Sequence, residues 1–138
     1  MQRLALTLSH DVFELFKQHG LSAPQFNILR ILRGAAQHGE DGLACGDIGE
    51  RLLAQAPDLT RLLDRMAAQG LVRRERGSRD RRVVTTHVTD KGLAVLADLD
   101  ASLADLHLRQ LEHLGEQRLA ELNALLLTAL PPKEGVFL

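Results

Sequence analysis

"PDLTRLLDRMAAQGLVRRERGSRDRRVVTTHVTDKG", residues 57–92, changes its periodicity twice. Its first part sets Leu59, Leu62, Leu63 and Met66 at helical spacing and stops at Gly70, a residue suited to the left-handed position after a helix. The runs "LVRRE" and "RRVVTTHV" follow, separated by Gly77–Ser78. Val83, Val84, Thr85, Thr86 and Val88 favour extended backbone there. Thr89 is a natural N-cap for a further helix. The stretch therefore predicts a helix, a β-hairpin and a second helix, in that order. Its hairpin holds six arginines within ten positions: Arg73, Arg74, Arg76, Arg79, Arg81 and Arg82.

Upstream, Leu4, Leu8, Val12, Leu15 and Phe16 repeat at helical spacing up to Gly20. "LSAPQFNILRIL" restarts a helix. Ser22 precedes Gln25 by three residues, as in a capping box, and Pro24 suits a first turn. "GAAQHGEDGLACG" (34–46) is a connection with room for a short extended piece at Leu43–Cys45. "DIGERLLAQ" then predicts a short helix ahead of the one in the opening stretch, with Pro57 near the latter's start. Downstream, Leu96, Leu99, Leu103 and Leu106 form a heptad-like seam, and "GEQRLAELNALLLTAL" forms another amphipathic helix stopped by Pro131–Pro132.

The whole chain has 138 residues, 45% hydrophobic and 25% charged, the profile of a single soluble globular domain. No apolar run reaches the ~18–20 residues that span a bilayer, and no cleavage site follows the N-terminal stretch, so a cytoplasmic protein with no membrane partner is expected. The formal net charge of −1 conceals an asymmetry. Arg51–Lys91 holds ten basic and five acidic residues, a local +5, while the other residues sum to −6. Such a basic middle suits an anionic partner. Four Phe, with no Trp or Tyr, argue against recognition by stacking single-stranded bases on aromatic platforms.

Two short helices followed by a twisted hairpin make a winged helix-turn-helix, a mainly α fold with a small β-hairpin wing. The second helix is narrow enough for a major groove, and a hairpin arginine can reach a minor groove. Three stretches resemble the MarR (multiple antibiotic resistance regulator) family of bacterial transcription factors. "LSAPQFNILRIL" is similar to its second-helix segment, and "LTRLLDRMAAQGLVRRE" to its recognition helix running into the first wing strand. "RDRRVVTTHVTDKG" is similar to the second half of the wing, with Asp80-Arg81-Arg82, Thr89 and Gly92 its most specific residues. The resemblance extends from about Leu4 to Leu130. It implies a homodimer on a pseudo-palindromic double-stranded DNA operator, with a winged-helix lobe at 22–92 and dimerisation helices at 1–20 and 93–130. It also implies a repressor released by a small, often aromatic or phenolic, effector. The leucine seams point independently to self-association, because they offer more apolar face than one small lobe needs.

In the recognition segment the non-core residues are Pro57, Asp58, Thr60, Arg61 and Arg65. Arg61 is the candidate for a bidentate guanine contact. Asp58 suits either cytosine N4 or the helix N-terminus, and Asp64 suits a structural tie to a nearby arginine. Arg73, Arg74, Arg76 and Arg79 are candidates for phosphate. One of Arg81 and Arg82 is expected in the minor groove while the other pairs with Asp80 or phosphate, the family's Asp-x-Arg pattern favouring Arg82 for the groove. Where family members often carry a small polar residue or Gly at the turn, and Ser or Thr near the helix start, this chain has Ala56 and Pro57. The resemblance implies an effector pocket between the dimer helices and the DNA lobe that would involve Phe13, Phe16 and Phe26, residues that serve equally well as plain core.

The single cysteine, Cys45, excludes an intramolecular disulfide and a Cys-rich zinc site. Peroxide-sensing members of the family place their cysteine in the first helix, where this chain has none. The six histidines form no HxxxH or Cys/His cluster. With no phosphate loop and no nucleophile elbow, neither a cofactor nor enzymatic activity is expected. Two other readings are a winged-helix module that docks proteins and a thiol-based redox sensor acting through Cys45.

Overall fold

A computed structural model of the chain describes residues 2–52, 56–76 and 83–129. Six α-helices and three strands follow in the order α1 (Gln2–Gln18), α2 (Ala23–Gln37), β1 (Leu43–Ala44), α3 (Cys45–Arg51), α4 (Leu59–Ala68), β2 (Val72–Arg76), β3 (Val84–Val88), α5 (Asp90–Leu111) and α6 (Gly115–Ala129). A 3₁₀ turn, Glu112–Leu114, joins the last two. The strands form one antiparallel sheet in the order β1-β3-β2. The hairpin register pairs Val72 with Val88 and Arg76 with Val84, and β1 sets Leu43 opposite Thr86. This is a winged helix-turn-helix with long flanking helices.

Local chemistry accounts for most of these elements. Ser22 and Gln25 close a reciprocal capping box over the first turn of α2, with Pro24 inside it. In α4 the apolar stripe becomes core, with Leu62, Leu63 and Met66 buried and Gly70 at φ 74° ending the helix. The Thr89 hydroxyl accepts from the Gly92 N–H at 3.1 Å and caps α5. The wing packs onto this helix pair: Val72 is buried on the inner face of the sheet and Thr86 opposes Arg74 there.

Several boundaries differ from those expected. The first short helix begins at Cys45, two residues before Asp47, and ends at Arg51. The second begins at Leu59, so Pro57 and Asp58 lie in the turn that leads into it. Asp58 has φ 60° and ψ 48°, the left-handed region, and makes the tight approach to α4 without a glycine. Aspartate is one of the few residues that tolerate that backbone. The leucine seam of α5 divides in function. Leu96 and Leu99 are fully buried within the lobe because α2 packs on the first half of α5, whereas Leu103 and Leu106 are only half-buried. No residue of α6 is buried, and Leu125, Leu126 and Leu127 stand exposed.

Candidate nucleic-acid interface

The placement of α4 starts from how it is held. Its apolar face is fixed by Leu62, Leu63 and Met66, and its C-terminal end is tied down by hydrogen bonds. The Thr89 hydroxyl lies 2.6 Å from the Gly70 carbonyl oxygen and 3.0 Å from that of Leu71. Lys91 Nζ donates to the Gln69 carbonyl at 2.7 Å. The N-terminal half is left facing solvent, with Thr60, Arg61, Asp64 and Arg65 exposed. A helix anchored by its back and its C-terminal end presents its N-terminal turns outward, the geometry of insertion into a groove.

The wing continues this surface through β2, whose pleat sends alternate arginines to opposite sides. Arg74 shares the inner face with Val72 and forms an ion pair with Asp64 of α4. Its side chain is only 18% exposed, so Arg74 bridges wing and helix rather than projecting outward. Its buried Nε has no hydrogen-bond partner among the described residues. Arg73 and Glu75 share the outer face and pair with each other. At the start of α4, Arg61 Nε lies 3.1 Å from Asp58 Oδ2, and the Arg61 side chain is 82% exposed. An ion pair so exposed is worth ~0–1 kcal/mol and yields readily to a phosphate or a base edge. Arg65 and Arg76 are exposed and have no ion-pair partner among the described residues.

Thus Asp58, Thr60, Arg61, Asp64, Arg65, Arg73, Arg74 and Arg76 come together along α4 and β2. Arg79, Asp80, Arg81 and Arg82, expected from the sequence at the tip of the wing, lie outside the described residues. The pairing of Asp64 with Arg74 needed the strand face to be assigned, and the buried Val72 two residues earlier carries that signal.

Cys45 is partly buried at the first turn of α3, its Sγ 3.7 Å from Thr60 Oγ1. Phe16 and Phe26 are core residues with ring centroids 4.6 Å apart. Phe13 is half exposed and lines a shallow cleft with His10, Glu14, Lys17, Leu21, Ser22 and Ala23. Among the described residues no group of three or more His, Cys, Asp or Glu side chains could hold a metal ion, and no helix is long and apolar enough to cross a membrane.

The model of the MarR family matches residues 19–83, which contain α2 to β2. The HTH-type transcriptional regulator TtmR of Methylorubrum extorquens is 38% identical over 86 residues, 62% of this chain and 42% of that protein. The chain therefore matches less than half of TtmR's length. The HTH-type transcriptional regulator MgrA of Staphylococcus aureus is 31% identical over 113 residues, 82% of this chain and 72% of that protein. A crystal structure of a MarR transcription factor from Planctomyces limnophilus is 42% identical, covers 91% of this chain and 88% of that one, and superposes with a TM-score of 0.69.

Proposed function

Because the chain belongs to the MarR family of winged-helix transcriptional regulators, we propose that it is a homodimeric repressor that binds a pseudo-palindromic double-stranded DNA operator. The observation that carries this reading is the arrangement of α4, held from behind with its N-terminal turns free, beside a wing that Asp64 and Arg74 tie to it. In this reading Arg61 reads base edges, with Thr60 and Arg65 flanking it. Arg73, Arg76 and Arg79 grip phosphate, and one of Arg81 and Arg82 enters the minor groove. Arg74 acts by holding the wing. Pro57 and Asp58 shape the approach to the helix, and the Asp58 carboxylate keeps Arg61 extended.

Dimerisation is assigned to α1, the distal half of α5 and α6. These carry exposed Leu4, Leu6, Leu108, Leu125, Leu126 and Leu127, an apolar face that a second copy would bury. The cleft beside Phe13, lined by the C-terminal half of α1 and the start of α2, is the place assigned to a small aromatic or phenolic effector.

The test is enrichment of duplexes from a random-sequence library by the purified protein, followed by affinity measurement at a stated salt concentration. An operator with two half-sites one helical turn apart is expected, and Arg61→Ala should relax the preference at one base pair in each half by about tenfold. Enrichment of no sequence, or binding that is independent of sequence, would favour a protein-docking role instead.

A further inference from the structure

Gln25 is a buried polar side chain at the start of α2, and it uses both ends of its amide. Its Oε1 accepts the Ser22 backbone N–H at 2.8 Å, which completes the capping box. Because an N–H can face only an acceptor, that bond fixes the orientation of the amide and turns Nε2 toward α4. There Nε2 donates to Gln69 Oε1 at 3.0 Å, a contact between residues 44 apart in sequence. Gln69 is the C-cap of α4, and its own N–H remains bonded to the Arg65 carbonyl at 3.0 Å.

We infer that the Gln25–Gln69 amide pair is a positioning joint that sets the pose of the recognition helix and, through it, discrimination between DNA sequences. The inference rests on the DNA-binding reading above. A ten-residue helix is roughly 15 Å long, so a tilt of about 4° at one end moves the other by about 1 Å. Such a shift exceeds the width of a good hydrogen-bond distance range, roughly 2.7–3.2 Å, and would cost a base contact at the far end of α4. The joint grips the C-terminal end while Arg61 lies in the first turn. Gln25 and Gln69 therefore act on recognition without touching DNA.

The amide chemistry allows a test that separates the joint from general stability. Gln25→Glu keeps the acceptor for Ser22, and Gln69 can turn its amide over to donate. Gln69→Glu keeps an acceptor for Gln25 Nε2. Each single variant therefore preserves the bond, whereas Gln25→Glu/Gln69→Glu sets two carboxylates together with no donor between them, Lys91 at the Gln69 carbonyl being the neighbouring cation. Gln25→Glu/Gln69→Lys restores a donor. In urea unfolding of the DNA-free protein at neutral pH, the singles should be near wild type and the double Glu variant weaker by about tenfold beyond additivity.

With a duplex enriched by the wild type, the ratio of its affinity to that of a scrambled duplex should fall by about tenfold in the double Glu variant. The ratio should hold in the singles and in the Glu/Lys variant. At constant ionic strength it should recover in part in the double Glu variant as pH is lowered into the carboxyl range, because one carboxyl of the pair then takes a proton and becomes a donor. A purely structural role would lower the folded fraction and leave the ratio and its pH profile unchanged. An additive cycle, or an unchanged ratio in the double Glu variant, would overturn the joint. A wild type that enriches no duplex would overturn the DNA reading, while the cycle in the DNA-free protein still reports on the joint by itself.

Discussion

Gly92 lies in the first turn of α5, where helix propensity and packing predict opposite outcomes for Gly92→Ala. In an open helix the change stabilises by about 1 kcal/mol. Here an added Cβ would lie 2.3 Å from the Leu71 carbonyl oxygen, 3.0 Å from Val88 Cγ2 and 3.2 Å from Leu29 Cδ2. A comfortable carbon–oxygen contact is about 3.3 Å, so the start of α5 would have to withdraw by about 1 Å. The same Leu71 oxygen accepts the Thr89 N–H at 3.2 Å and lies 3.0 Å from the Thr89 hydroxyl, bonds that the withdrawal would stretch. Overpacking with backbone movement costs ~1–3 kcal/mol or more. Adding the strained bonds and subtracting the propensity gain leaves a net destabilisation of about 2–3 kcal/mol. For a chain of this size that is a fall in Tm of roughly 7–10 °C. Urea unfolding at fixed protein concentration measures it, with an unchanged m-value expected. Gly46→Ala is the control, since a Cβ there meets nothing within 4 Å, and it should be neutral or stabilising. A Gly92→Ala protein as stable as wild type would refute the close approach of α5 to the Leu71 carbonyl.

Thr89→Val keeps the shape of the side chain but removes the cap on α5 and the contacts with the Gly70 and Leu71 carbonyls; a loss of about 1–2 kcal/mol is expected from thermal or urea unfolding. Arg74→Met should change stability by less than about 1 kcal/mol, because the lost pair is offset by removal of an unpartnered buried Nε, yet it should weaken DNA binding by leaving Asp64 unneutralised on the exposed face of α4. Parallel unfolding and gel-shift measurements separate these two effects. The Glu40 carboxyl is held below its ordinary value by hydrogen bonds from Arg51, so the stabilisation from this pair should be complete above about pH 4.5 and fade as pH falls below it. Glu40→Gln should remove that part of the acid dependence in a pH series of melting curves.

The features that could be read from the sequence are those whose causes are local. The capping box at Ser22 and Gln25, the stripe Leu59–Leu62–Leu63–Met66 and the Thr89 cap each involve residues three or four apart, and each lies where its pattern places it. The limits of α3 and α4 were less legible because they depend on what the backbone can tolerate in a turn. Asp58 in the left-handed region leaves no mark in propensity. The leucines of α5 form a single stripe in sequence, but only packing against α2 shows that Leu96 and Leu99 are used within the lobe. In the candidate interface, composition marked the arginines of α4 and β2 as a group but could not tell Arg74, turned inward to Asp64, from Arg73, turned outward to Glu75. That distinction follows from the pleat once Val72 is known to be buried. The Gln25–Gln69 contact was beyond reach, because nothing local connects residues 44 apart.

The proposed function requires the arginines of α4 and the wing to grip a DNA duplex. It is tested most directly by the salt dependence of binding to an enriched duplex, measured for wild type and for Arg81→Ala/Arg82→Ala. Each phosphate neutralised contributes about −0.9 to the slope of log K against log salt. For a dimer with three or more phosphate contacts per lobe, the wild type should show a slope of about −5 or steeper, and the double variant a shallower slope with lower affinity. A flat salt dependence in the wild type, or identical slopes and affinities in the two proteins, would rule out such a grip.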